Sequence, residues 1–115
     1  MIQPDLFDTV ELLIDLPNSH IRAGALGAIV EQYDERHFEI EFSNEAGETE
    51  QLCSLSADQF IVVWRNVTQS PATMADLMAQ LTLRLDESEQ REILDFARFL
   101  HARHQQKQPV GSLAK

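Results

Sequence analysis

The chain has 115 residues, of which 19 are Asp or Glu and 9 are Lys or Arg, so its formal net charge is −10. This length predicts one domain, or one small domain with an appendage. The negative charge opposes direct nucleic-acid binding, because such binding depends on Lys and Arg replacing the counterions of the phosphate backbone.

The charge is unevenly distributed along the chain. Residues 1–68 contain 13 carboxylates and three arginines, whereas residues 69–115 contain six carboxylates and six Lys or Arg. The hydrophobic share of 43% is near the globular average and allows a core. No apolar run approaches the roughly 20 residues of a membrane span. The first residues do not show the basic region and following apolar stretch of a secretory signal, so we expect none. The single cysteine, Cys53, excludes an internal disulfide and fits a reducing compartment. We therefore expect a cytoplasmic protein with no membrane partner.

The acidic part predicts five short strands joined by turns. The strands are expected at residues 6–14, 26–33, 38–42, 49–55 and 60–64, with a hairpin connection at 34–36 and one helical turn at 56–59. Short strands with glycine-marked turns are typical of small barrels. The predicted fold class is α+β, mainly β: a five-stranded SH3-like barrel followed by a C-terminal helical hairpin.

The third strand has the clearest pattern. Phe38, Ile40 and Phe42 alternate with Glu39 and Glu41. A period of two is typical of a strand with one buried face. We expect the three apolar side chains to point into the core and the two carboxylates to face solvent.

Residues 6–64 resemble a small bacterial family catalogued as domain of unknown function 4926. The matching stretches are Phe7-Asp8-Thr9-Val10-Glu11-Leu12, Asp15-Leu16-Pro17, Gly24-Ala25-Leu26-Gly27-Ala28-Ile29-Val30-Glu31, Phe38-Glu39-Ile40-Glu41-Phe42 and the Gly47 loop. The resemblance implies a fold and no activity, since the family has no established one.

The second part predicts two helices. Ser70 as N-cap and Pro71 at the first helical position predict the start of the first helix. Its apolar stripe is formed by Met74, Leu77, Met78 and Leu81. A capping box of Asp86 and Glu89 predicts a second helix over about 87–105. The predicted domains are the acidic barrel at 1–68, a two-helix appendage at 69–105 and a flexible tail at 106–115.

The second helix is apolar over an arc of about 220°, whereas a surface helix needs a stripe of roughly 100°. The residues of this arc are Ile93, Leu94, Phe96, Ala97, Phe99 and Leu100. The apolar surface beyond that stripe is expected to be covered by the first helix, by the barrel or by another chain. We expect a homodimer through this helix. Residues 85–100 also resemble the helical end of antitoxin-like proteins catalogued as domain of unknown function 2281, on the basis of Leu94 to Leu100.

The candidate chemical groups form no recognisable catalytic or metal-binding motif. His101 and His104 lie one turn apart on the last helix, with Asp95 earlier, and two histidines could share a metal ion, but a transition-metal site needs three or four ligands. Cys53 has no cationic neighbour in sequence to activate it. Paired carboxylates without a pocket favour solubility over acid–base chemistry. We therefore expect no catalytic, cofactor-binding or metal-binding residues and no enzyme activity.

The acidic surface is the best candidate for function, although plain solubility explains it equally well. The predicted partner-binding residues are Glu31, Asp34, Glu35, Glu39, Glu41, Phe96 and Phe99. The favoured hypothesis is an antitoxin or immunity-type protein that masks a basic, nucleic-acid-cleaving protein. One alternative is an accessory or structural subunit of a larger enzyme complex. Another is a nucleic-acid-binding barrel, which the scarcity of cations disfavours.

Overall fold

The structure is a computed structural model that describes residues 2–106. It contains six strands and two helices: β1 Thr9–Leu12, β2 Leu26–Gln32, β3 His37–Ser43, β4 Thr49–Ser56, β5 Phe60–Arg65, β6 Ser70–Pro71, α1 Met74–Thr82 and α2 Glu87–Gln106. A short 3₁₀ helix, Ala57–Gln59, precedes β5. The fold is therefore mixed α+β, as predicted.

The strands form one antiparallel sheet in the order β4-β3-β2-β1-β5-β6. The predicted strand number of five is wrong, since the structure has six strands, and within residues 2–106 the sheet does not close into a barrel. The sixth strand pairs Ser70 with Arg65 and Pro71 with Trp64. A turn over Asn66–Gln69, with Gln69 in the left-handed region at φ 51°, reverses the chain just before it.

The predicted start of the first helix is also wrong. Ser70 and Pro71 belong to β6, at the sheet edge, where a proline is tolerated because no ladder bond is required of its nitrogen. The cap of α1 is Thr73, whose Oγ1 accepts the Asp76 N–H at 3.0 Å while Asp76 Oδ2 accepts the Thr73 N–H at 3.2 Å. The second helix agrees with prediction: Asp86 and Glu89 form the reciprocal capping box.

The sheet is strongly curved around an aromatic contact. Phe38 on β3 and Phe60 on β5 meet edge to face, with ring centroids 5.7 Å apart. Two strands separate β3 from β5, which in a flat sheet would place them about 14 Å apart. The sheet therefore bends so that the inner faces of β3 and β5 meet. The core on that inner face comprises Val10, Leu12, Ile29, Phe38, Ile40, Phe42, Leu55, Phe60 and Val62.

Gly27 allows β2 and β3 to approach closely on this inner face. A Cβ atom at Gly27 would lie 2.7 Å from Ile40 Cγ2 and 2.9 Å from Phe42 Cε1. Real side chains do not reach such distances without displacing their neighbours. The absence of a side chain at Gly27 therefore lets the two β3 side chains fill the concave face of β2.

A buried carboxylate joins two turns at the edge of the core. Asp8 is only 2% exposed. Its Oδ2 accepts the backbone N–H of Asp5 at 3.0 Å, and its Oδ1 accepts that of Asn66 at 2.8 Å. Because a buried polar group needs partners, these two bonds hold the segment before β1 against the turn after β5.

By compactness, the chain divides into two units, Met1–Leu81 and Thr82–Lys115. The first unit holds the sheet and nearly all of α1, and the described part of the second is dominated by α2. The charge boundary near residue 68 is a separate property of the sequence. Apart from Gln106, the predicted flexible tail at 106–115 lies outside the described residues.

Gln80 is the buried residue of α1. Its Oε1 accepts the Val62 N–H at 2.8 Å, and its Nε2 donates to the Val62 carbonyl at 2.9 Å. The side-chain amide thus pairs with β5 as a neighbouring strand would. In contrast, Met74, Met78 and Leu81 of the predicted apolar stripe remain exposed.

We predict that Gln80→Leu lowers the free energy of unfolding by about 2 kcal/mol, since it leaves a buried N–H and a buried carbonyl of Val62 without partners. Urea unfolding followed by the emission of Trp64, the single tryptophan, measures this change. Gln105→Leu, at an exposed position of α2, is the matched control and should change stability by less than about 0.5 kcal/mol. Equal stability of the two variants would contradict a docking role for Gln80.

Candidate functional site

The β2–β3 hairpin concentrates most of the predicted acidic site. Glu31 lies near the end of β2, where the register shifts, and faces Glu39 across the strand pair. Asp34 and Glu35 lie in the connection between the strands. The structure thus brings four of the five predicted carboxylates into one region of the surface.

A shallow groove with a volume of about 600 Å³ lies on this hairpin. We call it the acidic hairpin groove. Its lining residues are Leu6, Val30, Glu31, Gln32, Tyr33, Asp34 and Glu35. Apolar side chains and a ring therefore lie beside carboxylates, which is the combination expected of a binding surface.

Asp34 has a structural role in the hairpin. Its Oδ1 accepts the backbone N–H groups of Arg36 at 2.8 Å and of His37 at 2.9 Å, and the carboxylate also contacts His37 Nδ1. The hydrogen bond from Arg36, followed by that from His37, lowers the pKa of Asp34. The negative charge of Asp34 is thus retained into mild acid, while most of its hydrogen-bonding capacity serves the turn.

Tyr33, which the sequence analysis did not select, orients a predicted site residue. Its hydroxyl donates to Glu39 Oε1 at 3.0 Å. This hydrogen bond is the main cause that raises the pKa of Tyr33, followed by partial desolvation and by the negative charges of Glu39 and Glu31. Ionising the phenol would remove the donor and place a second negative charge beside the carboxylate.

Glu41 lies apart from this group. It is on the same outward face of β3 as Glu39, but it pairs in register with Ala28 and accepts a hydrogen bond from Thr49 Oγ1. Glu39 and Glu41 both flank buried neighbours, as the alternating pattern predicted. The two carboxylates therefore serve different local partners, Tyr33 for Glu39 and Thr49 for Glu41.

Phe96 and Phe99 belong to the second unit. They are 61% and 56% exposed, and their rings stack at 6.0 Å. The guanidinium of Arg103 lies 5.7 Å from the centre of the Phe99 ring. The predicted partner-binding residues therefore form two sets, one on the acidic hairpin and one on α2.

The remaining candidates have ordinary structural environments. Cys53 packs against the core from β4, and burial, followed by the charge of Glu39, raises the pKa of its thiol. A raised pKa disfavours the nucleophilic thiolate. Asp95 pairs with Arg98 at 3.1 Å. Across the described ranges, no group of three or more His, Cys, Asp or Glu could hold a metal ion, and no helix is long and apolar enough to cross a membrane.

The fold and the groove define a small α+β protein with one curved antiparallel sheet and an acidic hairpin surface. Residues 6–62, about half of the chain, match the family model described as Domain of unknown function (DUF4926). Through this segment the chain belongs to that family, as its sequence motifs predicted. Comparison with curated proteins and with solved structures gave no match. The match ends at Val62, so the antitoxin-like resemblance of residues 85–100 stays a prediction.

We predict that Glu39→Gln lowers the pKa of Tyr33 towards its ordinary value of about 10, because the substitution removes the adjacent negative charge. Tyr33 is the single tyrosine, so the ultraviolet absorbance of tyrosinate during alkaline titration reports on this residue alone. Glu45→Gln, in the β3–β4 connection, removes the same charge elsewhere and should leave the titration unchanged. An identical titration of wild type and Glu39→Gln would contradict the contact between Tyr33 and Glu39.

Proposed function

We propose that this chain is a non-catalytic protein-interaction module whose acidic hairpin groove binds a basic surface of another protein. The observation that carries the proposal is the groove itself, in which Glu31 and Glu35 lie beside Tyr33. An arginine side chain fits such a surface, since its guanidinium pairs with carboxylates and stacks on aromatic rings. A lone acidic cluster would offer only the first of these interactions.

The groove is also held in shape before any partner binds. Asp34 closes the hairpin through backbone hydrogen bonds, and Tyr33 is oriented by Glu39. Preformed geometry reduces the entropy lost on binding. The negative field of the first 68 residues would in addition speed the encounter with a cationic partner.

Within this class, we propose an antitoxin or immunity-type role in the bacterial cytoplasm, in which the module masks a basic, nucleic-acid-cleaving protein. The acidic surface is a suitable competitor for a nucleic-acid site, because such sites are lined by Lys and Arg. We also propose that the curved sheet is a member of the SH3-like class of small barrels. The Phe38–Phe60 contact across the sheet supports this assignment.

We predict that the protein, used as bait in a native lysate, retains a basic protein, and that retention weakens as salt rises. The triple variant Glu31→Gln/Glu35→Gln/Glu39→Gln should bind that protein at least about tenfold more weakly, since it removes three of the four carboxylate charges of this region. A direct binding measurement on the purified pair gives the dissociation constant.

The matched control is Glu45→Gln/Glu48→Gln/Glu50→Gln, which makes the same change in net charge around the β3–β4 connection. It should bind the partner nearly as tightly as wild type. Equal weakening by both triple variants would show that only total charge matters, and recovery of acidic or neutral partners alone would reject the proposal. The antitoxin role further requires that the bound partner lose nuclease activity and regain it when the triple variant replaces wild type.

A further inference from the structure

Every residue of α2 is exposed, although the helix carries a cluster of large apolar side chains. The exposed fractions are 41% for Ile93, 61% for Phe96, 56% for Phe99 and 36% for Leu100. At about 100° per residue, these four side chains fall within an arc of about 120°. They form one apolar patch in the middle of the helix.

The charged residues on the same arc are arranged by sign. Glu89 and Glu92 lie on the N-terminal side of the apolar patch, and Arg103 lies on its C-terminal side. Within residues 2–106, Glu92 and Arg103 take part in no ion pair, whereas the ion pairs of α2 use Glu87, Arg91, Asp95 and Arg98. From the N-terminal to the C-terminal end of α2, this face is therefore acidic, then apolar, then basic.

We propose that the α2 helices of two copies of this chain pair in antiparallel orientation through this face. Phe96 lies midway between Glu89 and Arg103 in sequence, so a twofold axis at Phe96 places Glu89 of one copy opposite Arg103 of the other. The same axis places Ile93 opposite Phe99 and Phe96 opposite its own equivalent. The axis thus brings opposite charges together at the two ends of the face and apolar side chains together at its centre, while Glu92 lies level with Leu100 of the other copy.

The charges favour a second copy of α2 as the partner, and they favour the antiparallel over the parallel orientation. In a parallel pair, Glu89 and Glu92 would face their own equivalents, and such like-charge contacts are unfavourable. The dipole of a single helix also favours acids near its N-terminus, but it does not require them to share a face with the apolar patch. A 20-residue helix is about 30 Å long, which gives the patch and both charged ends room to pair.

The first test is the solution mass of the full chain by sedimentation or light scattering. We expect a concentration-dependent dimer for wild type. Phe99→Asp should yield a monomer, because it places a carboxylate in the apolar centre of the interface. Helical circular dichroism checks that the variant retains α2. A wild-type protein that is monomeric over the whole accessible concentration range overturns the proposal.

Charge reversal then tests the orientation. Glu89→Arg and Arg103→Glu should each raise the dimer dissociation constant at least about tenfold, because each change creates two like-charge contacts in a twofold dimer. The double variant Glu89→Arg/Arg103→Glu should recover most of the affinity. Arg98→Glu, on the opposite side of α2, is the matched control and should have little effect. In a parallel dimer, Glu89→Arg would replace one like-charge contact by another, so an unchanged constant would overturn the antiparallel arrangement.

Disulfide trapping gives an independent result. In a Cys53→Ser background, chains with Glu89→Cys and chains with Arg103→Cys are oxidised separately and as a mixture. The antiparallel pair predicts a cross-link between the two different chains in the mixture, because residues 89 of two paired helices would be about 21 Å apart along the axis. Phe96→Cys, at the twofold axis, should cross-link to itself and serves as the positive control. Efficient self-linking at position 89 would overturn the proposal.

Discussion

The contact between Phe38 and Phe60 is the constraint on which the first unit depends. These rings can meet edge to face only if the sheet bends enough to bring β3 over β5. The bend places the apolar side chains of several strands on one concave face, whereas Glu39 and Glu41 of β3 lie on the other face. The close approach at Gly27 follows from the same geometry, since a side chain there would fill the space of Ile40 and Phe42.

A side chain from α1 completes the hydrogen bonding of β5 where β6 ends. β1 lies on one side of Val62, but β6 pairs with only the last two residues of β5, so Val62 has no strand partner on its β6 side. Gln80 supplies the missing donor and acceptor from a helix. The family match ends at this same residue. The helix that follows the family segment thus satisfies a backbone need at the segment's last residue.

The strands were predictable where a residue pattern alone determines the outcome. In a sheet with one buried face, the alternation of Phe38, Ile40 and Phe42 with two glutamates determines which side chains point into the core. The capping box of Asp86 and Glu89 depends only on residues close together in sequence. The prediction for Ser70 and Pro71 was wrong because both residues are compatible with a helix start and with an edge strand. The turn at Gln69, which the sequence did not reveal, directs them into the strand. Gln80 could not be predicted as buried, since its role depends on a backbone 18 residues earlier.

The candidate site shows the same division between local and distant causes. The acidic hairpin was visible in the sequence as a run of carboxylates, but the sequence did not distinguish their tasks. Asp34 serves the turn, Glu39 orients Tyr33 and Glu41 binds Thr49, whereas Glu31 and Glu35 remain at the groove. The number of carboxylates in the sequence therefore overstates how many are available to a partner. Their spacing around Tyr33 is the better guide to which partner the groove would bind.

The two proposed surfaces rely on different physical forces, and this difference has a consequence for assembly. The groove would act through charge and would weaken as salt rises, whereas the central patch of α2 would act through apolar burial, which salt does not weaken. A dimer through α2 would carry two acidic grooves at a fixed stoichiometry. Two grooves on one particle can engage a partner with two basic patches more tightly than either groove alone, provided that the geometry lets both bind at once. Salt would then release the partner while leaving the dimer intact.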